Sequence, residues 1–335
     1  MTQQRPSQQQ IDASKAIQRR TGATFHVATR VLPDRARYPT YVLYAFFRTA
    51  DEVVDDPGDA SAADQRERLE AIRAAVKGDR ETDDPVLEAT NRLRASHGID
   101  PDEIDVFVDS MLSDVTVSRY ETYEELETYL RGSSVAVAEM LVDVMAPDLP
   151  ASARPHAKAL AEAFQLTNFI RDVSEDVDDY DRIYLPLETL EEYDVTEQDI
   201  REKRFSPGVA AAVLHELERA EERYRRGVQG IEYLPEDVQF AVLLSAVLYA
   251  EHHRLIRRCG YDVLSNRPEL SWVDRLRAVA RTAFHWRLTR DPVVTFDRAS
   301  AVPTVDGPED EARSTKSAFE PFRKTIAEGI FRWSL

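Results

Sequence analysis

Hydrophobic residues recur with helical periodicity along almost the whole chain, and strand-like alternation is nearly absent. This feature restricts the fold more than any other, because an amphipathic helix must bury its apolar face against another element. The spacing predicts an all-α, single-domain protein, with a flexible tail at 1–10 and one helical domain at 11–335. Candidate helices lie at about 11–30, 39–55, 62–77, 85–97, 101–116, 122–146, 153–177, 187–193, 196–203, 207–232, 236–260, 271–288 and 316–332.

The segments between these helices are mostly short and carry turn residues. Pro39 is expected near a helix start, and Pro101 opens another helix. Two loops, at 174–187 and 291–314, exceed the usual ~4–6 residues. No repeat of fixed period and no break in composition marks a second domain.

The composition places the chain among globular proteins of the cytoplasm. Hydrophobic residues make up 43% of it, and no run of ~18 apolar residues predicts a membrane-spanning helix. The N-terminal sequence MTQQRPSQQQ lacks the apolar core of a signal peptide, so we expect a cytoplasmic location. The single cysteine, Cys259, excludes an intramolecular disulfide and a cysteine-based metal cluster.

The charge balance is strongly acidic, with 61 Asp and Glu against 43 Lys and Arg and a net charge of −18. Such a surface repels phosphate backbones, so a nucleic-acid partner is not expected. Scarce lysine together with abundant acid is typical of a protein kept soluble in concentrated salt, where self-repulsion is screened. An acidic protein from a GC-rich genome, which favours arginine codons, is the alternative.

The first informative segment is YVLYAFFRTADEVVDD at 41–56. On a helix, Tyr44, Arg48, Asp51 and Asp55 fall within ~60° of one another, and the two carboxylates stand one turn, ~6 Å, apart. Like charges at this spacing repel each other. A hard divalent cation such as Mg²⁺, which binds carboxylates together with substrate phosphate oxygens, would remove that repulsion.

The second segment is FQLTNFIRDVSEDVDDYD at 164–181. Four polar residues, Gln165, Asn168, Asp172 and Asp176, share a stripe ~80° wide. The opposite, core-facing stripe is apolar and consists of Leu166, Phe169, Ile170, Val173 and Val177. The remaining acidic residues, Glu175, Asp178 and Asp179, are expected to be solvated.

One DxxxD spacing is weak evidence for a metal site in a chain with 61 acidic residues. Two such stripes, each with an arginine beside it (Arg48 and Arg171), are more specific. If they face each other across a cavity, they can hold two or three Mg²⁺ ions, or Mn²⁺, against a diphosphate.

At these residues the chain resembles the phytoene/squalene synthase family, and within it the phytoene synthase branch. The resemblance covers roughly 14–290, and the acidic surface suggests a halophilic archaeon as the source. The motifs that carry it are Ser14-Lys15, Thr24-Phe25, Tyr44, Arg48, DEVVD at 51–55, Arg119-Tyr120, Tyr123-Glu124-Glu125-Leu126, Tyr129, QLTNFIRDVSED at 165–176, Arg182-Ile183-Tyr184-Leu185-Pro186, Tyr249 and Gly260-Tyr261-Asp262-Val263-Leu264.

The resemblance implies an isoprenoid-synthase-like helical bundle with the two aspartate motifs on opposing walls of a central cavity. It implies a prenyltransferase of the 15-cis-phytoene synthase type in carotenoid biosynthesis. Such an enzyme condenses two geranylgeranyl diphosphates head to head to prephytoene diphosphate and then to phytoene. This reaction needs Mg²⁺ but no NADPH, which the squalene branch uses. The product would pass to a phytoene desaturase.

Roles follow from the resemblance together with the chemistry of each side chain. Arginines suit diphosphate because a guanidinium binds two oxygens at once, and ring faces stabilise carbocations. Read alone, Arg182 is equally a surface ion-pair residue, and each tyrosine a packing residue. The expected metal ligands are Asp51, Asp55, Asn168, Asp172 and Asp176. The expected substrate-binding residues are Arg48, Gln165, Asn168, Arg171 and Arg182. The expected catalytic residues are the four aspartates together with Tyr44, Tyr129 and Tyr249.

One departure from the family pattern is GSSVAVA at 132–138, where an apolar Val-Ala-Gly stretch is usual. Ser133 and Ser134 either bond back to helix carbonyls or reshape the pocket and thereby alter the choice of chain length. His252-His253 has no HExxH context, so a zinc site is not expected.

Three alternatives stay open. The chain is a squalene or dehydrosqualene synthase that uses farnesyl diphosphate, a non-catalytic relative that acts as an assembly protein, or an acidic cation buffer. An apolar product such as phytoene must leave into lipid, so we expect transient peripheral contact with the inner face of a membrane. The C-terminal Phe331-Arg332-Trp333 is a candidate for that contact. The acidic surface argues against electrostatic attraction to lipid.

Overall fold

The computed structural model describes residues 27–304. Contacts between Cα atoms divide the chain into two compact units, Met1–Ala301 and Val302–Leu335, and every helix named below belongs to the first. Within the described residues the regular structure is helical, and the β-structure is one isolated bridge between Arg119 and Ile183. The predicted all-α fold is therefore confirmed. The predicted tail at 1–10, the helix at 316–332 and most of the helix at 11–30 lie outside the described residues.

Fourteen α-helices follow one another in the described part of the chain. They are α1 (Asp34–Asp55), α2 (Ala62–Lys77), α3 (Pro85–His97), α4 (Pro101–Asp114), α5 (Tyr123–Leu130), α6 (Val137–Met145), α7 (Arg154–Arg171), α8 (Val173–Tyr180), α9 (Leu187–Glu192), α10 (Glu197–Arg201), α11 (Pro207–Val228), α12 (Glu236–Arg258), α13 (Trp272–Thr289) and α14 (Pro292–Ala299).

Helix ends that carry strong local signals lie where the sequence predicts them. At α2, the Ser61 hydroxyl accepts from the Asp64 backbone amide while the Asp64 side chain accepts from the Ser61 amide. This reciprocal cap satisfies two otherwise unpaired donors. The helix ends at Gly78, whose φ of 87° is readily adopted only by glycine. Such signals explain why the predicted range 62–77 matches the structure.

Several predicted boundaries were wrong. Pro39 lies inside α1, which begins at Asp34. The predicted helix at 153–177 is interrupted at Asp172, which has φ −101° and ψ 11°, and the predicted loop at 174–187 is helical as far as Tyr180. The predicted loop at 291–314 contains α14, because Asp291 caps a short amphipathic helix that buries Phe296.

The predicted helix at 122–146 is divided by a π-helical segment, Arg131–Ala136, between α5 and α6. Gly132 in this segment touches α4. A Cβ atom on Gly132 would lie 2.5 Å from the Ser110 Cβ and 2.6 Å from the Val106 carbonyl oxygen. Only glycine permits this close approach of the two backbones. The π segment and α4 together form one wall of the cavity described next.

A buried polar network joins α7, α11 and α12 behind that cavity. The imidazole of His253 contacts the Thr167 hydroxyl through Nε2 at 2.9 Å and the Glu221 carboxylate through Nδ1 at 3.0 Å. The Tyr224 hydroxyl lies 3.0 Å from the same Thr167 oxygen. Because a buried polar group is costly to leave unpaired, this network fixes the rotation of α7 about its axis.

Candidate active site

A cavity of about 830 Å³ runs through the middle of the described helices. Along α7 its wall extends from Ala157 to Arg171, a distance on the order of 20 Å. The Ala157 end is apolar and is lined by Leu149, Ala153, Ile231 and Leu234. The Arg171 end is crowded with carboxylates and guanidinium groups. The cavity can therefore take a long apolar molecule with a charged head.

All twelve residues predicted for the site line this one cavity. They come from α1, α5, α7, the junction between α7 and α8, α8, the segment after it, and α12. They are Tyr44, Arg48, Asp51, Asp55, Tyr129, Gln165, Asn168, Arg171, Asp172, Asp176, Arg182 and Tyr249. Their roles remain predictions, because position alone does not test them.

The first carboxylate pair lies on the last two turns of α1. The Arg48 Nη1 lies 3.1 Å from the Asp51 Oδ2, and the Asp55 Oδ1 accepts from the Arg182 Nη1 at 3.0 Å. Burial raises the pKa of Asp51 to about 7, although Arg48 opposes the shift. Asp51 is therefore partly protonated near neutral pH until a further cation approaches it.

The second pair spans the junction between α7 and α8. The Asp172 carboxylate forms an ion pair with the Arg171 guanidinium, and the Arg171 Nε lies 2.7 Å from the Asp172 Oδ1. Asp176 has no ion pair among the described residues, and burial, with Asp172 and Glu175 nearby, raises its pKa to about 8. Asp55 contributes to the same shift, so the two carboxylate pairs interact electrostatically across the cavity.

Arg182 connects the two walls. Besides Asp55, its guanidinium donates to the Asp114 backbone oxygen at 3.3 Å, and its side chain is buried. Arg182 was predicted to be either a substrate-binding residue or a surface ion-pair residue, and its burial excludes the surface ion pair. Its position between the aspartate pairs gives the polar end of the cavity a fixed positive charge.

Aromatic rings form the wall next to Arg182. Phe169 and Tyr184 stack with their centroids 4.0 Å apart and 8° between their planes, and Tyr129 stacks on Tyr184 at 5.8 Å. The Tyr129 hydroxyl donates to the Asp114 Oδ2 at 2.7 Å. Burial and the Asp114 charge raise the pKa of Tyr129, so its hydroxyl stays protonated. The cavity thus has electron-rich ring faces beside its charged end.

A second aromatic group comes from α7 and α12. Tyr249 packs on Phe164 with ring centroids 4.8 Å apart, and burial raises the pKa of Tyr249 to about 12. The His252 Nδ1 lies 3.0 Å from the Tyr249 carbonyl oxygen, which can only accept, so Nδ1 carries the proton. Burial and Arg171 lower the pKa of His252 to about 3, and the ring is neutral.

The two serines of the π segment behave differently. The Ser134 hydroxyl donates to the Leu130 carbonyl oxygen at 2.9 Å, which is the backward bond that was one of the two expected alternatives. The Ser133 Oγ is buried without a hydrogen-bond partner among the described residues, and Ser133 lines the cavity. Ser134 lines the cavity as well, so both serines of this departure from the family pattern reach the pocket, and only the Ser133 hydroxyl is left without a partner among the described residues.

Five further charged residues in the cavity wall were not predicted from the sequence: Asp114, Glu175, Arg267, Glu269 and Arg275. The expectation that Glu175 is merely solvated was wrong, because its Oε2 lies 2.6 Å from the Arg267 Nη2. Arg267 also lies 3.4 Å from the Asp172 Oδ1. Burial raises the pKa of Asp114 to about 7. These residues lie far apart in the sequence, and only the fold brings them together.

The donors at the polar end fit Mg²⁺, which prefers carboxylate and amide oxygens. Asp51 and Asp176 are carboxyls whose pKa is raised mainly by burial, so a cation bound beside them would favour their charged forms. Within residues 27–304, however, no group of three or more His, Cys, Asp or Glu side chains is arranged to hold a metal ion. Bound ions would therefore need ligands from outside this set, such as diphosphate oxygens.

Comparison with known proteins identifies the family. A model of the squalene/phytoene synthase family matches residues 18–274. The chain belongs to this family. The resemblance seen in the sequence is thereby confirmed, and the matched range contains all twelve predicted site residues.

Relatives in the squalene/phytoene synthase family agree in sequence and in fold. The 15-cis-phytoene synthase of Synechococcus elongatus is 31% identical over 285 residues, 78% of this chain and 91% of its own. The phytoene synthase of Thermus thermophilus is 31% identical over 266 residues, 77% of this chain and 87% of its own. A dehydrosqualene synthase crystal structure matches with a TM-score of 0.76 and 25% identity, covering 84% of this chain and 98% of that one.

Proposed function

We propose that this chain condenses two geranylgeranyl diphosphates head to head to phytoene through prephytoene diphosphate. The observation that carries the proposal is one cavity with two carboxylate pairs and several arginines at one end and a long apolar wall behind them. Relatives named phytoene synthase, at about 30% identity, support a prenyltransferase-type enzyme of this kind. Each of the two stages releases one diphosphate and one proton.

The polar end is suited to removing diphosphate from an allylic carbon. Asp51, Asp55, Asn168, Asp172 and Asp176 would hold Mg²⁺ together with substrate oxygens, and the bound ions would supply positive charge for the departing anion. Arg48 and Arg182 supply fixed positive charge at the same end and need little rearrangement when that anion forms. Arg171 and Arg267, which now pair with Asp172, would be free to turn to phosphate once a cation takes that carboxylate.

The apolar part of the cavity has two tasks. It holds the prenyl chains along α7, and it keeps water from carbocations that would otherwise be quenched to alcohols. The stacked rings of Tyr129, Phe169 and Tyr184 and the pair Phe164–Tyr249 offer electron-rich faces beside the diphosphate end. Tyr44 lines the same region.

Product analysis tests the proposal directly. Purified protein is incubated with Mg²⁺ and either geranylgeranyl or farnesyl diphosphate, with and without NADPH, and the hydrocarbon is identified. Phytoene from the longer substrate without NADPH is the expected result. Squalene or dehydrosqualene from farnesyl diphosphate would instead favour the C15 alternative, consistent with the likeness to a dehydrosqualene synthase.

A matched pair of variants tests the metal ligands. Asp55 lines the cavity, whereas its exposed neighbour Asp56 ends α1 and does not. We expect Asp55→Asn to lose activity and its Mg²⁺ dependence, while Asp56→Asn retains both. Retention of prenyl transfer by Asp55→Asn or by Asp172→Ala would contradict the assignment. Metal binding that is independent of diphosphate in a titration, without any product, would identify a cation buffer.

A further inference from the structure

Helix α13 turns an apolar face to solvent. Trp272, Leu276, Phe284 and Leu288 are 74%, 58%, 61% and 65% exposed. At 100° per residue these four side chains fall within an arc of ~160° on one side of the helix. Large apolar residues grouped in this way usually mark a surface that contacts another molecule.

The opposite side of α13 holds the helix in place. Ala278, Thr282 and Trp286 are buried there. Asp274 accepts from Arg254 of α12 at 3.1 Å, and Arg281 is paired with Glu251 of α12. The apolar face is therefore held outward by the packing of the rest of the helix.

The charge on this face is opposite to that of the protein. Arg277 and Arg287 lie within the same ~160° arc, are exposed, and have no carboxylate partner among the described residues. The only acidic residue of α13, Asp274, lies outside the arc and caps the helix. A chain of net charge −18 thus carries one helical face on which exposed apolar and cationic side chains alternate without an acid.

We propose that this face of α13, the membrane-contact face, docks the protein on a bilayer surface rich in anionic headgroups. Exposed Trp, Phe and Leu interspersed with arginine are typical of helices that lie in the lipid interface. A second copy of the chain fits the face less well, because a two-fold contact would place its arginines against each other. The net charge describes the molecule as a whole, whereas attraction of this face to lipid depends on the charge within a Debye length of the headgroups.

The membrane-contact face begins beside the cavity. Leu270 and Arg275 line the cavity, and Trp272 and Leu276, next to them in the sequence, are exposed. Docking here would bring the rim of the cavity to the lipid. The use of this contact for release of an apolar product rests on the proposed function. The docking of the face on lipid does not rest on it.

Co-sedimentation of the full chain with vesicles tests the proposal. Vesicles of phosphatidylcholine with and without phosphatidylglycerol are compared in dilute buffer. We expect binding to the anionic vesicles, at least tenfold weaker in Trp272→Ser/Phe284→Ser. We expect the affinity of Arg277→Gln/Arg287→Gln for anionic vesicles to fall about fivefold per arginine, with no change on neutral vesicles. The affinity of the wild type for anionic vesicles should fall by a similar amount in high salt. As a matched control, Phe205→Ser/Tyr233→Ser, at exposed aromatic residues outside α13, should bind like the wild type.

Three results would overturn the proposal. The first is absence of wild-type binding, or equal binding by wild type and Trp272→Ser/Phe284→Ser. The second is a dimer in sedimentation velocity that this double variant dissociates, which would make the face a contact between copies. The third is a marked loss of thermal stability in the double variant without vesicle binding, which would mean that the chain's own C-terminal segment covers the face. Prenyl transfer from detergent-dispersed substrate, measured separately, shows whether the proposed function fails independently.

Discussion

Replacing Asp176 by asparagine should stabilise the protein near pH 8 while strongly lowering its activity. The Asp176 carboxyl is largely buried, lacks an ion pair among the described residues, and has a pKa raised to about 8. In the unfolded chain an aspartate has a pKa near 3.9. Between about pH 4 and pH 8 the folded state therefore holds a proton that the unfolded state has released, and stability falls as pH rises through this range.

The size of the effect follows from the same values. Raising a carboxyl pKa by about four costs about 5 kcal/mol at pH 8 if nothing relaxes. Water entry and local movement reduce such penalties, so we expect Asp176→Asn to raise the free energy of unfolding at pH 8 by about 1–3 kcal/mol. For a chain of this size that gain corresponds to a melting temperature higher by roughly 1–4 °C. If Asp176 is the metal ligand proposed above, its loss should lower the rate of prenyl transfer by about 10²–10³-fold.

Calorimetry from pH 4 to pH 8 without Mg²⁺ measures the stability difference, which should be largest at pH 8 and vanish near pH 4. Asp179→Asn is the matched control, because Asp179 lies on α8 but is exposed and outside the cavity wall. Mg²⁺ with an unreactive diphosphate analogue should stabilise the wild type more than Asp176→Asn. A lower stability of Asp176→Asn at pH 8, or wild-type turnover by it, would refute the reasoning.

Three further variants or conditions extend these tests. Asp114→Asn keeps an acceptor for the Tyr129 hydroxyl but removes a buried charge. Its melting temperature should therefore exceed that of the wild type at pH 8 and equal it near pH 4. A melting temperature below that of the wild type at pH 8 would contradict this. Gly132→Ala should lower the free energy of unfolding in urea by about 1–3 kcal/mol, because its new Cβ would collide with α4. Ser133→Ala, at the next residue, should leave that free energy unchanged or raise it, because the Ser133 hydroxyl has no partner among the described residues. Equal stability of the two variants would count against the close packing. Activity and stability should rise with KCl if the acidic surface reflects salt adaptation, and full function in dilute buffer would exclude that explanation.

The sequence was most informative where local rules decide the structure. Helix α2 could be predicted to the residue because Ser61 and Gly78 act within a single turn. The Asp51–Asp55 stripe followed equally from helical geometry, since both residues lie in one continuous helix. The family resemblance added what geometry could not, namely the expectation that such a site receives prenyl diphosphates.

The remainder depended on contacts between distant segments. The interruption at Asp172 leaves the hydrophobic period unchanged on both sides, so periodicity could not reveal it. Asp114 ends an acidic helix, and nothing local distinguishes it from solvated neighbours until Tyr129 and Arg182 are packed against it. Arg267 lies in an irregular segment, and its contact with Asp172 exists only in the folded chain.

The acid-free face of α13 has a consequence for how the molecule approaches a negatively charged surface. Most of the chain is acidic and would be pushed away by such a surface, with the net charge of −18 setting the strength of the repulsion. An approach with Trp272, Arg277 and Arg287 leading meets less repulsion than an approach by an acidic face. The surrounding negative charge therefore acts as an orienting field, which selects one rotational state of the protein before any contact forms.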